Sequence, residues 1–90
     1  MSLVSGDMFK MVDMAQQFSV KAAEVGELRS YLQGQVDRND DWRGQAADRF
    51  RELWATEFAP ALAHLGQALD EASAEIRHRQ QMLEEAGAVH

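Results

Sequence analysis

Met8, Met11, Ala15, Phe18, Ala22, Val25, Leu28, Leu32 and Val36 follow one another at steps of 3, 4, 3, 4, 3, 3, 4 and 4. This spacing keeps them on one face of an α-helix. It predicts a helix over about 8–36, roughly 43 Å long at 1.5 Å per residue. Asp7 is its expected N-cap, because a carboxylate there can accept a hydrogen bond from an unpaired backbone N–H of the first turn. The pattern then stops at Asp37-Arg38-Asn39-Asp40-Asp41, where no residue is apolar. Asn39 is suited to the left-handed conformation that ends helices, and Asp40 or Asp41 to capping the next one. The turn is expected over about 37–44.

The apolar face resumes at Ala47, Phe50, Trp54, Phe58, Leu62, Leu65, Leu69, Ala72, Ile76 and Leu83, widened by Leu53 and Ala61. A second helix over about 45–86 follows. Pro60 lies inside it. Proline lacks the N–H and clashes with the carbonyl four residues back, here that of Thr56, at a cost of about 3 kcal/mol. The apolar phase continues past it, so a kink near Pro60 is expected, not a break. Gly26 and Gly66 either allow close approach of the two helices or are tolerated surface positions.

The whole chain, 1–90, therefore reads as a single all-α domain, a two-helix antiparallel hairpin. Such a hairpin cannot cover its own apolar stripe, because each helix has only one neighbour. Met11, Phe18, Val25, Leu32, Phe50, Trp54, Phe58, Leu62, Leu65, Leu69 and Ile76 are its candidate hairpin and dimer core. At roughly 25 cal/mol per Å² of apolar surface, burying that stripe favours association strongly. Two hairpins closing into a four-helix bundle are the simplest solution. Met8, Met11 and Met14 are expected as core filler at one bundle end, with an adaptable recognition surface as the alternative.

Composition narrows the function. Fifteen acids against nine bases give a formal charge of −6, which disfavours phosphate backbones and anionic membrane surfaces alike. No nucleic-acid role and no strong intrinsic membrane binding are expected. With no cysteine there is no disulfide, zinc–thiolate site or cysteine nucleophile. The N-terminal stretch lacks a basic segment followed by an apolar one, so no classical signal peptide is expected.

Candidate chemistry is sparse. His64 and His78 stand roughly 21 Å apart along one helix and cannot share a metal ion, and His90 ends the chain. No serine occupies a nucleophile elbow, and no glycine-rich phosphate loop is present. Neighbouring acids such as Asp70-Glu71 and Glu84-Glu85 point about 100° apart on a helix and read as solvated surface. Glu75 and Arg79 form a favourable helix pair worth a few tenths of a kcal/mol. The chain reads as a non-enzyme without metal or cofactor.

Trp42-Arg43-Gly44 sits at the bend, followed by Ala46-Ala47, Phe50 and Trp54. This central W-x-G in a helical hairpin of this length resembles the WXG-100 family, the small early-secreted-antigen-like proteins of type VII secretion systems. The resemblance spans nearly the whole chain. It implies a dimer, either of two copies or with a second W-x-G protein, made in the cytoplasm. It further implies export in folded form without a cleaved signal peptide, with recognition by the secretion ATPase. In the family the W-x-G bend lies near a C-terminal Tyr-x-x-x-Asp/Glu signal on the partner. Here the second helix holds no tyrosine, and Leu83 and Gly87 stand at those positions, a degenerate signal. Either the partner carries the signal or it is degenerate or truncated in this chain.

Trp42 and Gly44 thus have two readings. The structural one has Trp42 covering the open bundle end and Gly44 supplying a backbone conformation that a side chain hinders. The functional one adds an export contact. The alternative to a type VII substrate is an intracellular dimerisation adaptor or chaperone with no export role. A DNA-binding helix–turn–helix is disfavoured by the acidic charge and the length of the second helix.

Overall fold

The computed structural model describes residues 3–88, with side chains from 8 to 87. Helix α1 spans Leu3–Arg38, α2 spans Gln45–Leu53, and α3 spans Ala59–Ala88. A single π-helical turn, Trp54–Phe58, joins α2 to α3, so that the three form one continuous rod. No strand occurs among the described residues. The rod folds back against α1 as an antiparallel hairpin with a longest dimension of 69 Å. No helix among the described residues is long and apolar enough to cross a membrane. His90 lies outside the described residues.

Helix α1 begins at Leu3, not near Met8, so Asp7 lies within the helix instead of capping it. A helix that has formed adds residues cheaply, one hydrogen bond for each residue fixed, until something stops it. Nothing in residues 3–8 is a proline, and the single Gly6 is tolerated. At the other end α1 runs to Arg38, where Asn39 closes it differently from expectation. Asn39 does not adopt a left-handed conformation, since no residue other than glycine has positive φ among those described. Its side-chain Nδ2 instead donates to the Gln35 carbonyl at 2.8 Å, and its backbone N–H to the Val36 carbonyl at 3.3 Å. Two of the orphan carbonyls at the helix end are thereby satisfied.

The irregularity at Pro60 is a π turn ahead of the proline. The Ala59 N–H reaches back five residues to the Trp54 carbonyl, widening the helix by one residue before the ring. Thr56 Oγ1 donates to the Glu52 carbonyl at 2.8 Å, pairing an acceptor within the same stretch. The rod thus absorbs the missing proline donor without ending.

Small residues meet where the helices touch. Ala15, Ala22 and Ala47 are buried, and so is Ser73, whose hydroxyl donates to the Ala15 carbonyl at 2.8 Å. A side chain added at Gly66 would make ordinary contact with the Ala22 carbonyl and Val25, both at 3.7 Å, so Gly66 belongs to this seam. Gly26 faces open space and does not. Ala15 and Ala22 are seven residues apart, as are Gly66 and Ser73, which keeps both rows on the line of contact along the hairpin.

That seam sets the position of every larger side chain. Three residues on from each small residue come Phe18, Val25, Leu69 and Ile76, all half-buried. Four residues on come Ser19, Gly26, Asp70 and Arg77, a polar flank. Because the helices run antiparallel, the apolar rows of both fall on the same side of the hairpin. Met11, Leu32 and Leu62 extend this row half-buried, while Met14, Leu28, Phe58 and Leu65 lie farther out and exposed.

The eleven candidate core residues are therefore not a closed core within one chain. Trp54 alone among them is buried. Phe50, Phe58 and Leu65 are exposed, and the rest are half-buried. Two cylinders share only one line of contact, and that line is occupied by alanine, glycine and serine.

Candidate functional site

At the bend, the elements that hold Trp42 and Gly44 are built from both helices. Gly44 is the N-cap of α2, with φ 110° and ψ 178°. An L side chain at that φ is strained, and the conformation is in practice reserved for glycine. Nothing lies within 4 Å of where a Cβ would stand, so the requirement comes from the backbone and not from crowding. The Gly44 carbonyl accepts the Asp48 N–H at 3.0 Å, starting α2. No side chain caps this helix, so Asp40 and Asp41 do not act as its caps. Glycine places the chain in the right direction, and the acids remain in water.

The turn itself is tied by an arginine. Arg51, in α2, donates from Nη2 to the Asn39 carbonyl at 2.6 Å and to the Trp42 carbonyl at 2.8 Å. Its guanidinium carbon stands 5.9 Å from the centre of the Trp42 ring, within reach of a cation–π interaction. The guanidinium also lies beside the C-terminal end of α1, where the helix dipole favours a cation. The Trp42 N–H closes the turn on the Asn39 carbonyl at 3.3 Å. The Trp42 and Phe50 rings are 5.9 Å apart and inclined at 47°, a tilted aromatic pair.

The two tryptophans then part company. Trp54 is 6% exposed, and its indole N–H donates to Gln33 Oε1 at 2.7 Å, across to α1. Gln33 is itself held by Asp37, which accepts from its amide at 3.0 Å. Trp42 is 46% exposed. Between them lies an open, largely apolar groove of about 590 Å³, lined among others by Leu32, Val36, Trp42, Phe50, Phe58 and Leu62. Phe50 and Phe58, exposed at 38% and 45%, form one wall of it.

The fold gathers Trp42, Gly44, Phe50 and Trp54 at one end of the hairpin. Leu83 and Gly87 are on the exposed surface of α3, toward its C-terminal end, and Tyr31 is exposed on α1. Arg51, Gln33 and the Asn39 amide escaped the sequence reading. A buried indole requires an acceptor, so Gln33 was legible as a polar residue on the α1 face opposite Trp54. Arg51 had no such signal, because its partners are backbone carbonyls that become available only once the turn has formed.

Among the described residues, no three His, Asp or Glu side chains come close enough to hold a metal ion. The Glu75–Arg79 pair forms at 2.9 Å, but both side chains are mostly in water and add little. What the bend offers is a shaped apolar surface with a tryptophan at its edge. No curated protein and no solved structure matches the chain. The family "proteins of 100 residues with WXG" matches residues 5–88, a span that contains the Trp42-Arg43-Gly44 of this bend. The chain belongs to the WXG100 family, known for substrates of type VII secretion.

Proposed function

We propose that this chain is a type VII secretion substrate, exported as a folded helical-hairpin dimer without a cleaved signal peptide. Trp42 and Gly44 form part of the mark read by the secretion ATPase. The observation that carries this reading is the half-exposed Trp42 on a bend held by Gly44 and Arg51. A tryptophan that only closed the hairpin end has no need of a standing exposed surface. The protein works as an export module or secreted effector, not as an enzyme.

The one-sided apolar row supports the dimer. Phe18, Val25, Leu69 and Ile76 are half-buried in one chain and have room for a second hairpin across them. The partner is a second copy or another W-x-G protein. With Leu83 and Gly87 in place of a tyrosine and an acid, a partner that carries the intact tail signal completes the mark. An adaptor confined to the cell is the competing role.

Fractionation of cells with and without the secretion ATPase tests the reading. The chain is expected outside the cell only when the ATPase is present, and retention in both strains overturns export. Trp42→Ala is expected to reduce export while melting temperature and dimerisation hold. Normal export of that variant removes Trp42 from the mark.

A further inference from the structure

We propose that Arg51 is the positioning residue of the bend, holding Trp42 in the orientation in which it is recognised. The inference rests on the reading of Trp42 as an export contact. Three observations carry it. One guanidinium nitrogen joins the Asn39 and Trp42 carbonyls, at 2.6 and 2.8 Å, so Arg51 links the end of α1 and the turn to α2. Its guanidinium carbon stands 5.9 Å from the Trp42 ring centre, opposing free rotation of the indole. Residues 39–44 otherwise have few ties: the Asn39 amide to Gln35, and backbone bonds from Asn39 to Val36, from Trp42 to Asn39 and from Asp48 to Gly44.

Arg51 is also not used as an ordinary surface charge. The ion pairs among the described side chains are Lys21–Glu24 and Glu75–Arg79, although Asp37, Asp40, Asp41 and Asp48 stand near the bend in sequence. Its charge is spent on carbonyl oxygens, and hydrogen bonds from a charged donor are about twice as strong as neutral ones. A merely solubilising arginine has no reason to bridge two turn carbonyls.

The work therefore divides between neighbours. Gly44 permits the turn, Phe50 supplies one wall for the indole, and Arg51 holds the backbone from which the indole projects. Without Arg51 the Trp42 ring samples several orientations, and a partner must bind from a smaller competent fraction.

The test compares Arg51→Gln and Arg51→Lys with the unaltered chain, in whatever dimer it forms. The readouts are the two indole N–H signals in ¹⁵N relaxation, contacts between the Trp42 and Phe50 rings, melting temperature, and export from a strain bearing the secretion ATPase. Arg51→Gln is expected to mobilise the Trp42 indole and weaken its Phe50 contact, while Trp54, held by Gln33, keeps its signal. Export is expected to fall at least about tenfold, because the variant loses both charge-assisted hydrogen bonds and one alone carries about that factor. Arg51→Lys, which keeps a cation but not the planar fork, is expected to lie between the two. If Arg51→Gln unfolds or fails to dimerise, Arg51→Lys carries the test by the same readouts.

A Trp42 indole as rigid in the variants as in the unaltered chain overturns the inference. So does a mobile indole with full export, provided Trp42→Ala still blocks export. Full export of Trp42→Ala instead overturns the reading of the site on which the inference rests.

Discussion

The bend and the shaft of this hairpin are built from similar apolar residues, yet the chain completes one and not the other. At the bend, Trp54 is buried and anchored to Gln33, Gly44 takes a conformation suited to it, and Arg51 ties the turn to α2. Along the shaft, Ala15, Ala22, Gly66 and Ser73 fill the line of contact, and the larger side chains beside them remain half-wet. The difference lies in what each region has to pack against. A bend brings three segments together and can enclose one large ring. Two straight helices share a single line, which small residues fill, and the bulky ones wait for a further surface.

The bend is where a single chain has most to lose. Trp54→Ala removes the one large buried side chain among the described residues and leaves Gln33 without its donor. It is expected to destabilise the protein by about 3–5 kcal/mol, measured by denaturant unfolding. A loss below about 1 kcal/mol means that Trp54 packs too loosely to anchor the bend.

The next effect separates geometry from packing. Gly44→Ala places a methyl in open space but forces an L side chain onto φ 110°. The expected loss is about 1–3 kcal/mol. Chemical synthesis with D-alanine at 44, whose preferred φ is positive, is expected to recover most of it. Equal destabilisation by both enantiomers identifies crowding, not backbone strain, as the cause.

On the shaft, the smallest effect on folding should accompany the clearest effect on association. Leu65 is 48% exposed in the single hairpin, so Leu65→Glu is expected to change hairpin stability by no more than about 0.5 kcal/mol. In the proposed dimer the same carboxylate meets an apolar surface, and sedimentation should show the complex shifting toward single chains. Unchanged association removes this outer row from the interface and sends the search for the partner's surface elsewhere.

The parts of this protein legible in sequence are those that depend on periodicity. Apolar steps of three and four predict two long helices, and the five polar residues from Asp37 to Asp41 predict the bend between them. The W-x-G, with Phe50 and Trp54 behind it, points to the family that the match over residues 5–88 establishes. The limits of helix α1 were less legible, because helix growth through residues 3–8 requires no apolar signal. The same holds for the π turn, since a missing proline donor can be absorbed by a kink, a break or an added residue.

Sequence by itself determined the all-helical hairpin, the place of its bend and the excess of apolar surface over what two helices can hide. Only the tertiary structure decided which residues form the seam. Ala15, Ala22 and Ser73 are unremarkable in the apolar pattern, and Gly66 is open there between close approach and a surface role, but close approach of two cylinders selects small side chains at all four. It also decided that Trp54 is inside and Trp42 half outside, and that Arg51 joins two carbonyls nine and twelve residues away. Those ties depend on where the backbone turns in space, and no spacing along a single helix encodes that.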